Sequence, residues 1–302
     1  MSEIKLFQIK NNKAQEIKSL SVDLEKSLQT LMEKNLESMF GIRFLQTEYF
    51  TGQSHGGRID TLGIDENGSP VIIEYKRAIS ENIINQGLFY LDWLFDHKAN
   101  FKLLVIECLG QKAAEAIDWS GPRLICIARD FTKFDEHAVK QINRNIDLIR
   151  FRRFDNDLLA IELIQRTSAN NSTYSVPKMK ATPKKSDNKE SRIPKRIDKH
   201  ISDVYEALRA YLLALGDDVQ EKHLKVYIAY RRIKNFACVI VQKKTIHVIL
   251  NLNPETIQPG YPGYQDVRNI GHWGTGDVAI KLTSMDDLHR IEPLLLRAYE
   301  ES

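Results

Sequence analysis

Leu24, Leu28, Leu31, Met32, Leu36 and Met39 recur at three- and four-residue spacing, which predicts an amphipathic helix over residues 21–40 that Gly41 ends. The apolar pattern then shortens. Strands are expected over 42–50, 58–64 and 71–75, and Asp65-Glu66-Asn67-Gly68 between the last two has the residue types of a hairpin turn. A helix is expected over about 80–97, then strands over 102–108, 123–128, 148–154 and 158–163, with helices near 111–117 and 136–143 between the earlier ones. Helices alternating with short apolar strands predict an α/β domain with a mixed central sheet flanked by helices.

The periodicity disappears over 167–198, which is rich in Ser, Asn, Thr, Pro and Lys and reads as a flexible linker. It resumes with Ile201, Val204, Tyr205, Leu208, Tyr211, Leu212 and Leu215 on one helix face, closed by Gly216. Strands are expected over 224–229, 236–242, 245–250 and 277–282, with a long Pro- and Gly-bearing loop over 251–276 and a last helix capped by Ser284. The expected organisation is therefore an α/β domain over 1–165, a basic linker over 166–200, and a smaller α+β domain over 201–302.

Composition fits a folded protein, with 42% hydrophobic and 27% charged residues. No apolar run approaches the roughly 18 residues that cross a bilayer, and no secretory signal pattern opens the chain, so a cytoplasmic protein without a membrane partner is expected. Cys108, Cys126 and Cys238 lie far apart in apolar stretches, and no Cys-x-x-Cys or His-x-x-x-His pair suits zinc. The net charge of +3 hides an uneven distribution: residues 166–200 hold ten Lys or Arg against three Asp or Glu. Such a segment serves either as a solvated tether or as an arm that contacts phosphates.

Candidate chemistry concentrates in Gly57-Arg58-Ile59-Asp60 and Val71-Ile72-Ile73-Glu74-Tyr75-Lys76-Arg77. If the two strands pair, Asp60 and Glu74 are neighbours, and Glu74 and Lys76 share a face. Charge at the end of an otherwise apolar strand is costly unless a cation and a substrate use it. Carboxylate oxygens suit Mg²⁺ or Mn²⁺, and Lys76 would orient or deprotonate a water or stabilise charge on phosphorus. Glu25 falls inside the apolar arc of the first helix, either as a further member of the site or as an ion-paired helix-start acid. Gln86 and Tyr90, four apart on the next helix, would close over the site, and Arg58 and Arg77 are candidate phosphate contacts. In the C-terminal part, Arg231 and Arg232 beside Tyr227, Tyr230 and Phe236 form a second mixture suited either to a nucleic-acid backbone or to guarding strand edges.

Together, Arg58-Ile59-Asp60, Glu74-Tyr75-Lys76 and Gln86-x-x-x-Tyr90 resemble the PD-(D/E)XK nuclease superfamily, in particular the nuclease domain of NucS-like endonucleases, over roughly residues 21–105. The resemblance implies a restriction-endonuclease-like fold with Asp60, Glu74 and the carbonyl of Tyr75 as metal ligands. It makes Lys76 the catalytic lysine, supported by Glu25 and Gln86. Ile59 stands where the namesake proline would be, and the DNA-binding domain that precedes the nuclease in NucS is absent, so mismatch or branch specificity is not carried over. Residues 201–302 resemble a domain of unknown function joined to such nucleases. The expected activity is Mg²⁺- or Mn²⁺-dependent hydrolysis of phosphodiester bonds, with DNA as partner; the alternative is a nuclease fold that binds or regulates without cutting. The oligomeric state is open, a homo-oligomer included. Gly52-x-Ser54-x-Gly56 matches a serine-hydrolase elbow only superficially, because a strand and not a helix is expected after it.

Overall fold

The structure, a computed structural model, describes residues 4–20, 25–53, 55–76, 82–155, 157–169, 197–258 and 261–302. The chain divides into two compact units, Met1–Val176 and Pro177–Ser302.

The first unit opens with β1 (Leu6–Lys10) and β2 (Lys13–Ile17), an antiparallel ribbon turned by Asn11 and Asn12 at φ 50° and 58°. Positive φ at both central residues is the type I′ geometry that suits strand twist, and asparagine tolerates it. These strands are almost wholly exposed, so hydrophobic pattern alone does not signal them. Then come β3 (Ser19–Leu20), α1 (Glu25–Lys34), α2 (Leu36–Phe40), β4 (Ile42–Phe50), β5 (Arg58–Asp65), β6 (Pro70–Lys76) and α3 (Ile83–Asp96). After them lie α4 (Lys98–Leu109), α5 (Gln111–Glu115), β7 (Arg123–Ala128), α6 (Lys133–Lys140), β8 (Asn145–Phe154) and β9 (Leu158–Thr167).

Seven strands form one sheet in the order β3-β8-β7-β6-β5-β4, with β9 also on β8. β6, β7 and β8 run parallel and the remaining pairs are antiparallel. This is the mixed α/β sheet expected from the alternation. β6 sits at its centre, and Pro70 through Tyr75 are all buried, which explains a run of Val and Ile without alternation. Leu62, Ile72, Leu124 and Leu148 pack with Leu91, Trp93 and Leu94 of α3 in one core. At the edge of the sheet opposite Lys76, the buried guanidinium of Arg123 pairs with Asp65 and Asp147 and ties β5, β7 and β8 together.

Two expectations need correction. Residues 102–108 are not a strand but the body of α4, where Phe101, Leu104 and Val105 are buried and Leu103 is 59% exposed. A four-residue apolar run fits either a buried strand or a helix face, and here the helical repeat decides. The helix expected over 21–40 breaks at Asn35 into α1 and α2, and its start at 21–24 lies outside the described residues. Gly41 does end α2 in the left-handed conformation, at φ 63°.

The second unit consists of α7 (Lys199–Ala214), β10 (Gln220–His223), β11 (Ile228–Arg231), β12 (Asn235–Val241), β13 (Ile246–Leu250), β14 (Tyr264–Asp266), β15 (Val278–Leu282) and α8 (Met285–Glu300). Its sheet, ordered β10-β11-β12-β13-β15-β14, is antiparallel throughout. Leu208 and Leu212 of α7 and Ile291 and Leu295 of α8 meet Tyr230, Val239, Val248 and Ile280 in its core. The strand expected over 224–229 begins later, at Ile228, because 224–227 turn the chain from β10 into β11. The long loop contains a short 3₁₀ turn at Pro254–Thr256 and β14. Ser284 caps α8 through a reciprocal pair with Asp287, as the sequence indicates.

Candidate active site

The amino end of β5 and the carboxyl end of the antiparallel β6 place the candidate groups. In the hairpin register Thr61 faces Ile73 and Leu62 faces Ile72, so Asp60 comes level with Glu74. The pair is cross-linked through backbone: the Asp60 N–H donates to Glu74 Oε1 at 3.2 Å, and the Tyr75 N–H donates to Asp60 Oδ2 at 3.0 Å. Glu74 is fully buried, and its second oxygen, Oε2, has no hydrogen-bond partner among the described residues. Burial, and next the charge of Asp60, push the Glu74 carboxyl up to about 9. Burial also raises Asp60, against the pull of the Tyr75 N–H and of Lys76.

Lys76 is only partly buried and pairs with Glu25 of α1, Nζ to Oε1 at 3.2 Å. Burial alone would lower its pKa, but Glu25, then Asp60 and Glu74, raise it, so it remains an ammonium at neutral pH. Gln86 and Tyr90, one turn apart on α3, act as a unit: Gln86 Nε2 donates to Tyr90 Oη at 3.3 Å, and that oxygen accepts the Arg58 N–H at 3.1 Å. Gly57 allows this contact, because a Cβ there would stand 2.5 Å from Tyr90 Cε1. Arg58, Asp60, Gln86 and Tyr90, with Glu48 and Gly57, line an open cleft of about 440 Å³.

The structure thus gathers Glu25, Arg58, Asp60, Glu74, Tyr75, Lys76, Gln86 and Tyr90 in one region of the first unit. Arg77 lies outside the described residues. Arg231 and Arg232 belong to the second unit, where Arg231 is buried on β11 and Arg232 is committed to Asp218 (2.7 Å) and the ring of Tyr299 (4.4 Å).

Two further residues escape the sequence pattern. Gln29 is buried on α1, and its amide donates to the Asp60 carbonyl at 2.7 Å, clamping the helix to the strand that carries Asp60. It lies one turn after Glu25 on the same arc, which is the signal a helical wheel offers. Glu48, at φ 50° on β4, pairs with Lys26 at 2.8 Å and with Arg58 at 3.5 Å, placing a further carboxylate beside the cleft. A strand residue with positive φ has no sequence signature unless it is Gly or Asn.

Two hard carboxylates held by backbone bonds, one with a buried oxygen lacking a partner, fit a divalent cation better than a structural ion pair. No group of three or more His, Cys, Asp or Glu at ligating distance occurs among the described residues, so such an ion would need a backbone carbonyl, water or substrate oxygen as well. Nor is any helix among them long and apolar enough to cross a membrane.

Residues 190–302 match the family model described as a domain of unknown function, DUF5655. Over 315 aligned residues, covering 99% of this chain and 100% of the relative, the sequence is 29% identical to an uncharacterized protein of Haemophilus influenzae. Among solved structures, a chain of the EndoMS–dsDNA2 complex is similar at 21% identity with a TM-score of 0.25. The match covers 43% of this chain and about half, 47%, of that one. Likeness at that score assigns neither substrate nor chemistry.

Proposed function

We propose that the first unit is a Mg²⁺- or Mn²⁺-dependent nuclease that hydrolyses phosphodiester bonds in DNA. The observation that carries this reading is the pair of buried Glu74 and half-buried Asp60, with Glu74 Oε2 unpartnered and Lys76 at its rim. Asp60, Glu74 and the Tyr75 carbonyl would hold the ion, which when bound supplies positive charge to phosphoryl oxygens. Lys76, kept protonated by Glu25, donates to a non-bridging oxygen where negative charge grows, and so acts as a charge stabiliser and not as the base. Arg58 at the cleft supplies a cation to a neighbouring phosphate, and the Gln86–Tyr90 pair holds the Arg58 backbone in position.

The test is incubation of the full chain with supercoiled plasmid, linear duplex and single-stranded DNA in Mg²⁺, Mn²⁺ or EDTA, beside Lys76→Ala and Glu74→Gln. Metal-dependent cutting reduced at least about 100-fold in Lys76→Ala is expected. Its ion pair with Glu25 is partly solvated, so the same variant should change stability by about 1 kcal/mol or less. Cutting at the wild-type rate in Lys76→Ala refutes the assignment, and DNA that is bound but uncut under every condition assigns the fold to binding alone.

A further inference from the structure

Strand pairing separates the sheet of the second unit into two faces of opposite character. Tyr230, Val239, Val248 and Ile280 point to the core shared with α7 and α8. The alternate positions point away and include a small buried apolar cluster of Ala229, Cys238 and Ile249, covered by Leu224 and Tyr227. By register these outward positions include Lys222 and Lys281, and a neutral His247 paired with Lys281 across β13 and β15, where burial and the charge of Lys281 lower its pKa. None of the described outward strand positions is a carboxylate: Glu221 pairs with Tyr230 and Asp266 with Val278, both on the core side. The outward strand face thus carries Lys222 and Lys281 and no carboxylate among its described positions.

The loop before β15 lies on that open face. Gly274, at φ 89°, approaches so closely that a Cβ would stand 2.7 Å from Cys238 Cβ, and the Thr275 N–H donates to Cys238 Sγ at 3.4 Å. Pinned there, the loop presents Trp273 with 62% of its surface in solvent. A large ring held out beside a carboxylate-free face that carries Lys222 and Lys281 is the combination that stacks an unpaired base while a neighbouring lysine meets the backbone. A duplex would keep its bases stacked and offer the ring nothing.

We propose that the outward face of this sheet binds single-stranded nucleic acid, with Lys281 on the phosphate backbone and Trp273 against a base. The proposal is independent of the nuclease reading, because its test is run in EDTA and reads no cleavage. Binding of the full chain to a fluorescein-labelled oligothymidylate of about 16 nucleotides is followed by anisotropy across a salt series. Trp273→Ala should weaken binding at least about fivefold and Trp273→Phe should restore most of it. Lys281→Gln should reduce the slope of log affinity against log salt by about 0.7, one phosphate contact on a single strand. Both positions are exposed, so circular dichroism should match the wild type. Unchanged affinity and slope in these variants overturn the proposal. So does competition by duplex DNA or by polyglutamate as strong as that by the unlabelled oligonucleotide, which would instead mark a duplex or an acidic peptide as the occupant.

Discussion

Replacing Glu74 by glutamine isolates the electrostatics of the candidate site without reference to any substrate. Glu74 is fully buried, and burial followed by the charge of Asp60 lifts its carboxyl from 4.5 to about 9. An acid with a raised folded pKa stays protonated in the native state while the unfolded chain ionises. The native state therefore loses stability as pH rises from about 4.5, and the loss levels off only above about 9. At pH 7 the interval above 4.5 corresponds to about 3 kcal/mol as an upper figure, at about 1.4 kcal/mol per unit. Glutamine keeps the oxygen that accepts the Asp60 N–H, and its amide leaves a buried donor much as the protonated acid does, so polar satisfaction hardly changes. In EDTA, Glu74→Gln should therefore stabilise the first unit by about 1–3 kcal/mol at pH 7, with a gain that is small near pH 5 and larger near pH 8.5. Urea unfolding in a Trp273→Phe background, where only Trp93 and Trp119 report, measures this directly. Mn²⁺ should then stabilise the Glu74 protein and not the glutamine variant, since binding to the native state adds to its stability. A variant less stable than its parent at pH 7, or a difference that does not grow with pH, refutes the reasoning.

Three other outcomes follow from the packing. Arg123→Ala leaves Asp65 buried without this cation, while Asp147 keeps Arg166, and should cost about 3 kcal/mol in chemical denaturation, with partial recovery in the Asp65→Asn background. Gly57→Ala forces Tyr90 aside and should reduce cleavage more than it reduces melting temperature; equal wild-type cleavage would show that the Tyr90–Arg58 contact is dispensable. In the second unit, burial raises Glu221, but hydrogen bonds from His223, Arg209 and Tyr230 outweigh it and hold the carboxyl at about 2. Its contribution is present above about pH 4.5 and lost as pH falls towards 2, so Tyr230→Phe should flatten the acid limb of a melting profile monitored by Trp273.

The sequence alone determined the elements whose signal is periodic or chemical. The four-residue spacing of Leu28 and Met32 gives the first helix, Gly41 the end of α2, Ser284 the start of α8, and the Val-Ile run of β6 a strand buried on both faces. The local pattern also placed Asp60, Glu74 and Lys76 together, because an antiparallel hairpin with a four-residue turn fixes which positions meet. Only the tertiary structure decided the rest. Residues 102–108 became helix because the burial of Phe101, Leu104 and Val105 follows a three- to four-residue repeat, a choice that four adjacent apolar residues leave open. Gln29 and Glu48 joined the site because α1 and β4 pack against β5 from separate directions, and such long-range neighbours leave no mark in spacing. The charge on Glu74 was decided by depth: a carboxylate at a strand end is ordinary in water, and full burial beside Asp60 turns it into a group that holds its proton until a cation replaces it.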